Sequence, residues 1–247
     1  MTTKTSWRTS RFSPKRNSPN RSVLVQSGPP PGPISLSDGR LPYCPFHVKH
    51  RDLWLRCADW VGVGLDSPSL DRLDRFRRWL SEEAIIAGVL GPGEQQRLHD
   101  RHLGDSILFA AGFDSRPAHV LDIGSGVGLP GIPLAILWGG TKFTLLDRSR
   151  RRVDLMRRAV RILDLENATV EQGEIEHRAD LETAMVSRAT LPPDRARDLI
   201  RPRLAPNGVA VLGGSWLQPP EHEGWVTMEI PATVLDHTIW LLIMRQT

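Results

Sequence analysis

The stretch Val120-Leu-Asp-Ile-Gly-Ser-Gly-Val-Gly-Leu-Pro-Gly131 holds the residues best suited to receiving a ligand. Gly124, Gly126 and Gly128 fall at alternate positions after the short apolar segment Val120, Leu121 and Ile123. Glycine has no Cβ and tolerates a positive φ, so such a turn brings backbone close to a bound molecule. Leu129 and the apolar run Ile132 to Leu137 follow, and they read as the helix into which the turn leads. The segment Phe143-Thr-Leu-Leu-Asp147 then ends in an acid 19 residues beyond Gly128. An acid at that place is set to accept hydrogen bonds from the two hydroxyls of a ribose. The expected ligand contains a nucleoside.

Two nucleoside cofactors compete for this turn. Gly126-Val-Gly-Leu-Pro-Gly131 matches the G-x-G-x-x-G pattern of dinucleotide sites, a weak signal when alone. Asp122, just ahead of the glycines, would face a pyrophosphate unfavourably, whereas a carboxylate there suits the amino group and sulfonium of S-adenosyl-L-methionine. Pro130 removes an N–H donor that a diphosphate would use. The charge argument favours the methyl donor over NAD(P), and a glycine-rich turn without a ligand is the remaining reading.

Strands and helices alternate around these residues. Strands are expected at His119–Ile123, Thr141–Asp147, Ala168–Gln172, Thr183–Ser187 and Gly208–Gly213. Helices are expected at Leu129–Trp138, Arg150–Leu165 and Asp194–Leu204, the second burying Val153, Met156, Val160 and Leu163 at helical spacing. Strands at Trp225–Ile230 and Thr238–Met244 close the chain, with no helix of length between them. This order describes an α/β fold, a doubly wound and mostly parallel sheet with an antiparallel C-terminal edge. Upstream, Leu70, Leu73, Phe76, Leu80 and Ala84 predict a helix with Ser69 as N-cap, and Glu94 to Ala111 a second helix. Residues 1–45, rich in Ser, Pro, Arg and Asn, read as a disordered basic tail. Residues 46–112 read as a helical cap and 113–247 as the core.

In this order Glu174 and Glu176 follow the third strand, where an adenine ring would lie. Arg188 follows the fourth, opposite Gly124, where it could pair with a carboxylate, stack on the cofactor or hold a phosphate. Arg148, Arg150, Arg151, Arg152, Arg157, Arg158 and Arg161 crowd one loop and helix with only Asp154 among them, a face for phosphates or for water.

The chain resembles the RsmG (GidB) methyltransferases. The resemblance is carried by Arg101-His-Leu-Gly-Asp-Ser106, the glycine stretch with its Leu-Pro-Gly-Ile-Pro continuation, Phe143-Thr-Leu-Leu-Asp147 and Ser187-Arg-Ala189. It implies a class I S-adenosylmethionine-dependent methyltransferase that acts on guanine N7 in small-subunit ribosomal RNA. Cofactor contacts are implied at Gly124, Leu129, Ile175-Glu176 and Arg188, beside Asp122, Gly126, Gly128 and Asp147 read from the turn. Arg101, His102, Arg148, Arg151 and Arg188 are the candidates for RNA. Attack by N7 releases no proton, so no catalytic residue is expected, only positioning. Val211-Leu-Gly-Gly-Ser215 lacks the lysine of the family's Lys-Gly pair, which leaves room for another substrate, or for cofactor binding without transfer.

Composition bounds these readings. The 247 residues are 40% hydrophobic, enough for one α/β domain with an extension. The formal charge of +4 comes from the six basic side chains of residues 1–37, without which 26 basic residues face 28 acidic ones. Cys44 and Cys57 lack metal-ligand spacing, and no run of 18 apolar residues exists. The expectation is a cytoplasmic monomer, with neither metal nor membrane as partner.

Overall fold

The computed structural model describes residues 45–246 apart from 215 and 217, with side chains from residue 51 onward. The tail expected over residues 1–45 lies outside this description, apart from Pro45, which opens the first helix.

Helices α1 (Pro45–Trp60) and α2 (Ser67–Trp79) begin the cap. The sequence pattern did not mark α1, yet it buries Trp54, Cys57 and Ala58 on one side, spaced three and one apart as a helix face requires. In α2 the expected stripe of Leu70, Leu73 and Phe76 is buried and continues into Leu80. Its cap is Asp66 rather than Ser69: the Asp66 side chain accepts from the Ser69 N–H at 2.9 Å. The single helix expected over Glu94–Ala111 is a series of short turns. A 3₁₀ turn (Pro92–Arg97) gives way to a π-helical turn (Leu98–Gly104), then α3 (Asp105–Leu108) and a second 3₁₀ turn (Phe109–Gly112). Packing explains part of this: a Cβ on Gly104 would meet Leu235 at 2.9 Å, and one on Gly112 would meet Val211 at 2.4 Å. Those glycines allow close approach and also weaken a regular helix.

The sheet holds seven strands: β1 (His119–Ile123), β2 (Lys142–Asp147), β3 (Ala168–Gln172), β4 (Glu182–Arg188), β5 (Leu204–Gly213), β6 (Val226–Ile230) and β7 (Ile239–Arg245). Their spatial order is β3-β2-β1-β4-β5-β7-β6. The first five pair in parallel, and β7 runs antiparallel to both β5 and β6, as the alternation implied. Between the strands lie α4 (Gly131–Leu137), α5 (Arg150–Ile162), α6 (Pro193–Ile200) and the single turn α7 (Ala232–Leu235). Helix α6 stops at Ile200 and β5 starts at Leu204, earlier than expected, because Pro202 denies the helix a backbone donor.

Side chains alternate across the sheet. On β1, Val120 joins the core under α4, α5 and the cap, while Leu121 and Ile123 join the one under α6. Strands β2 and β3 lie to one side of β1, and β4 and β5 to the other. The chain therefore leaves β1 and β4 for opposite sides of the sheet, and the carboxyl ends of these two strands are where sheets of this kind bind ligands.

Candidate functional site

The turn after β1 is built on positive φ values, +66° at Gly124, +65° at Gly126 and +93° at Gly128. A Cβ on Gly124 would stand 2.2 Å from Thr190 Cγ2, whereas one on Gly126 would meet nothing closer than 3.9 Å. Gly124 thus lets the loops after β1 and β4 touch, a contact sealed by Thr190 Oγ1, which donates to the Gly124 carbonyl at 3.0 Å. Gly126 leaves open space above its backbone. Ser125 N–H bonds the Leu146 carbonyl at 3.0 Å and pins the turn to β2.

Asp122 has another task than the one expected of it. It is fully buried, and its Oδ2 accepts from Ser125 Oγ and, at 2.9 Å, from the Gly131 N–H. The carboxylate is turned into the loop and braces the start of α4, and its Oδ1 has no partner. Burial raises its pKa from 3.8 to about 7, against the pull of Ser125, Gly131 and Arg188.

A cleft of about 770 Å³ opens over the turn. Gly124, Gly126, Leu129, Asp147, Ile175 and Glu176 lie on its wall, and so do Arg101, His102, Arg148 and Arg188. Gly128 does not, since its missing Cβ makes room for Ile132 instead. Arg151 points away and donates to the Ala87 carbonyl beside a shallow depression on α5. Asp147 Oδ2 accepts from the Gly126 N–H at 3.0 Å and Oδ1 from the Ser149 N–H at 2.8 Å. Each oxygen keeps a second lone pair for a ligand.

Arg188 closes the cleft on the cap side. Its Nη1 donates to the Arg101 carbonyl at 2.9 Å, and its Nη2 lies 3.0 Å from His102 Nδ1. His102 Nε2 lies 2.9 Å from Glu94 Oε2. Burial and the Arg188 charge hold the imidazole below the ordinary histidine pKa, with Glu94 and Asp105 opposing them. The residue after Arg188, Ala189, has φ +51° and gives its N–H to the Gly213 carbonyl. A side-chain-bearing residue in that region stores strain of the kind found at ligand sites.

Sequence reasoning missed several wall residues: Glu94, Arg97, Phe109, Thr190 and Arg195. Glu94 and Phe109 sit in the segment read as one helix, whose broken course alone brings them to the cleft. Thr190 adjoins the Arg188 block, and its position could have been read from that neighbour. Among the described residues there is no helix long and apolar enough to cross a membrane, and no cluster of three or more metal-ligating side chains.

Residues 69–218 match the family model described as rRNA small subunit methyltransferase G. A "Ribosomal RNA small subunit methyltransferase G" of Mycobacterium leprae is 35% identical over 66% of this chain and 73% of its own length. The relative of the same name from Corynebacterium diphtheriae is 30% identical over 69% of this chain and 77% of its own length. Among solved structures, the precorrin-6y C5,15-methyltransferase of Geobacter metallireducens is 12% identical with a TM-score of 0.44, over 57% of this chain and 87% of that one.

Proposed function

We propose that this chain, which belongs to the rRNA small subunit methyltransferase G family, uses its cleft to move a methyl group from S-adenosyl-L-methionine to N7 of a guanine in small-subunit ribosomal RNA. The supporting observation is the sorting of charge by depth. The exposed rim carries arginines, with Arg148 80%, Arg195 66% and Arg97 58% exposed at the side chain. Two of the five wall acids lie deep, Asp147 at 2% and Asp105 at 17%, while Glu176 at 37% and Glu174 at 41% stand nearer the rim and Arg188 is part-buried. A polyanion meets the guanidinium groups first, while a small cationic cofactor finds carboxylates beneath them.

The residues fit that cofactor. Asp147 has lone pairs to spare for ribose hydroxyls, and Leu146, Ile175 and Leu199 offer apolar wall to an adenine ring. Gly126, with open space above its backbone, allows the chain to approach the methionyl part. The volume lies within the usual range for such sites. The cofactor supplies an electrophilic methyl on a sulfonium. What the protein supplies is alignment, exclusion of water and a phosphate grip, since N7 holds a free lone pair and gives up no proton.

Tritiated methyl donor incubated with the protein and bulk RNA from cells lacking the gene tests the reading. Label in small-subunit RNA at a guanine is the expected result. Label confined to other molecules, or no label at all, refutes it. Calorimetry with S-adenosylhomocysteine tests the cofactor separately, and no heat at roughly 1 mM ligand would remove it.

A further inference from the structure

We infer that Glu94 and His102 are positioning residues that hold the Arg188 guanidinium against the cleft wall, and that they do so only while the His102 imidazole is neutral. The inference takes its functional meaning from the proposed cofactor and RNA site, but its chemistry stands on the geometry alone. A guanidinium has donors and no acceptor. His102 Nδ1, 3.0 Å from Arg188 Nη2, must therefore present its lone pair, and the ring proton must sit on Nε2. That proton meets Glu94 Oε2 at 2.9 Å. The direction of donation is thus fixed from Arg188 through His102 to Glu94.

The rest of the surroundings agree. The His102 side chain is 10% exposed and both ring nitrogens are engaged, so the ring has little freedom to turn. The same π-helical turn supplies the second acceptor, the Arg101 carbonyl, at 2.9 Å. Two of the five guanidinium N–H groups are spent on the cap, which fixes the plane of the others. A proton on Nδ1 would set an imidazolium N–H against a guanidinium N–H at hydrogen-bond distance. Attraction becomes repulsion, and Arg188 must let go. The charged groups acting on His102 are Glu94 from the 3₁₀ turn, Asp105 from its own run and Arg188 from β4, with Arg101 its neighbour in the chain. Beyond them His237 pairs with Asp105 at 3.3 Å, and Asp122 lies beneath the glycine turn.

Long-range proton–nitrogen correlation spectra of the histidine rings test the tautomer. His102 should show a pyridine-type Nδ1 and a protonated Nε2, and Arg188→Ala should move its titration to higher pH. Methyl-transfer rates against pH test the positioning. His102→Asn puts a non-titrating oxygen where Nδ1 stands but gives up the Nε2–Glu94 bond, so its rate at neutral pH should fall, though less than that of His102→Ala. It should also lose the part of the acid limb that belongs to His102, while His102→Ala should raise KM at neutral pH and differ least from the wild type at acid pH, where the protonated ring has already released Arg188. A protonated Nδ1, or acid limbs identical in the wild type and His102→Asn, overturns the inference. If no RNA accepts methyl at all, the functional reading fails and the spectra still decide the relay.

Discussion

Asp122→Asn separates what a buried carboxylate does to the fold from what it does for a ligand. Burial raises Asp122 from 3.8 to about 7. Between those values the native chain keeps a proton that the unfolded chain has released. This group's contribution to stability therefore falls as pH rises from about 4 to about 7, and is level outside that window. At about 1.4 kcal/mol per unit the fall is about 4 kcal/mol. Asparagine does not titrate. Its oxygen can take over from Oδ2 as acceptor for Gly131 and Ser125, but its NH₂ then occupies the site of Oδ1, which has no partner in the wild type. An unmatched buried donor costs about 1–3 kcal/mol. Near pH 4 the wild-type acid carries its own proton on the partnerless Oδ1, so the two chains should be about equally stable there, and the variant more stable by up to about 4 kcal/mol at pH 8. Urea unfolding of both proteins, followed by tryptophan fluorescence from pH 4 to 8, reads the difference. Groups that titrate in both chains, such as His237 and Glu182, cancel in that difference. A difference that does not change with pH would refute the account of Asp122.

Three further outcomes follow from the site. Gly124→Ala should cost more than the roughly 1–2 kcal/mol of a left-handed backbone, because its Cβ meets Thr190 Cγ2 at 2.2 Å. Thr190→Ser in the same chain should recover part of the loss in a thermal melt, while Gly126→Ala should show the backbone cost alone. Asp147→Ala should weaken S-adenosylhomocysteine by about 1.5–3 kcal/mol in calorimetry through missing ribose bonds, and protease digestion should find the unanchored glycine turn more open. Arg148→Ala and Arg195→Ala should each flatten the slope of log RNA affinity against log salt, by up to about 0.7–0.9 for each phosphate the side chain had neutralised, and an unchanged slope would remove that residue from the RNA track.

The cofactor half of the site was legible because its parts are local. Strand β1, the three glycines and Asp147 each announce themselves over a few residues, by apolar alternation or by a need for positive φ. Asp122 shows the limit of that reading. Its position in sequence was right beside the turn, but its direction depended on two donors, Ser125 and Gly131, which claim the carboxylate from below. Arg151 failed in a like way, since helical phase carries it to Ala87 and away from the cleft that Arg148 and Arg152 line. The cap half was hardly legible. Glu94, His102 and Phe109 converge only because the segment from Pro92 to Gly112 changes its helical pitch three times, and a pattern with one period cannot encode that.

That cap half also narrows the reaction. Five acids line the cleft, and each already has a basic partner or backbone donor. Glu94 holds His102, Asp105 holds His237, and Asp147 holds the Gly126 and Ser149 N–H groups. Glu174 lies 3.8 Å from Arg148, and Glu176 lies 3.6 Å from Arg195. His102, the one histidine among the described residues on the wall, spends its lone pair on Arg188. The described wall carries no lysine, cysteine or tyrosine. An exocyclic amine or a ribose hydroxyl must lose a proton as it takes a methyl group, and a site for that chemistry keeps a base within reach. Methylation at carbon-5 of a pyrimidine needs a nucleophile to add first, commonly a thiolate. Guanine N7 asks for neither, because its lone pair is free before attack and its product is a cation. The positive charge passed to the base instead favours a cleft with acids at depth, such as Asp147, and exposed arginines such as Arg148 at the rim for phosphate. A wall with no lysine, cysteine or tyrosine, whose acids are each already engaged, thus suits an acceptor that needs neither nucleophile nor base.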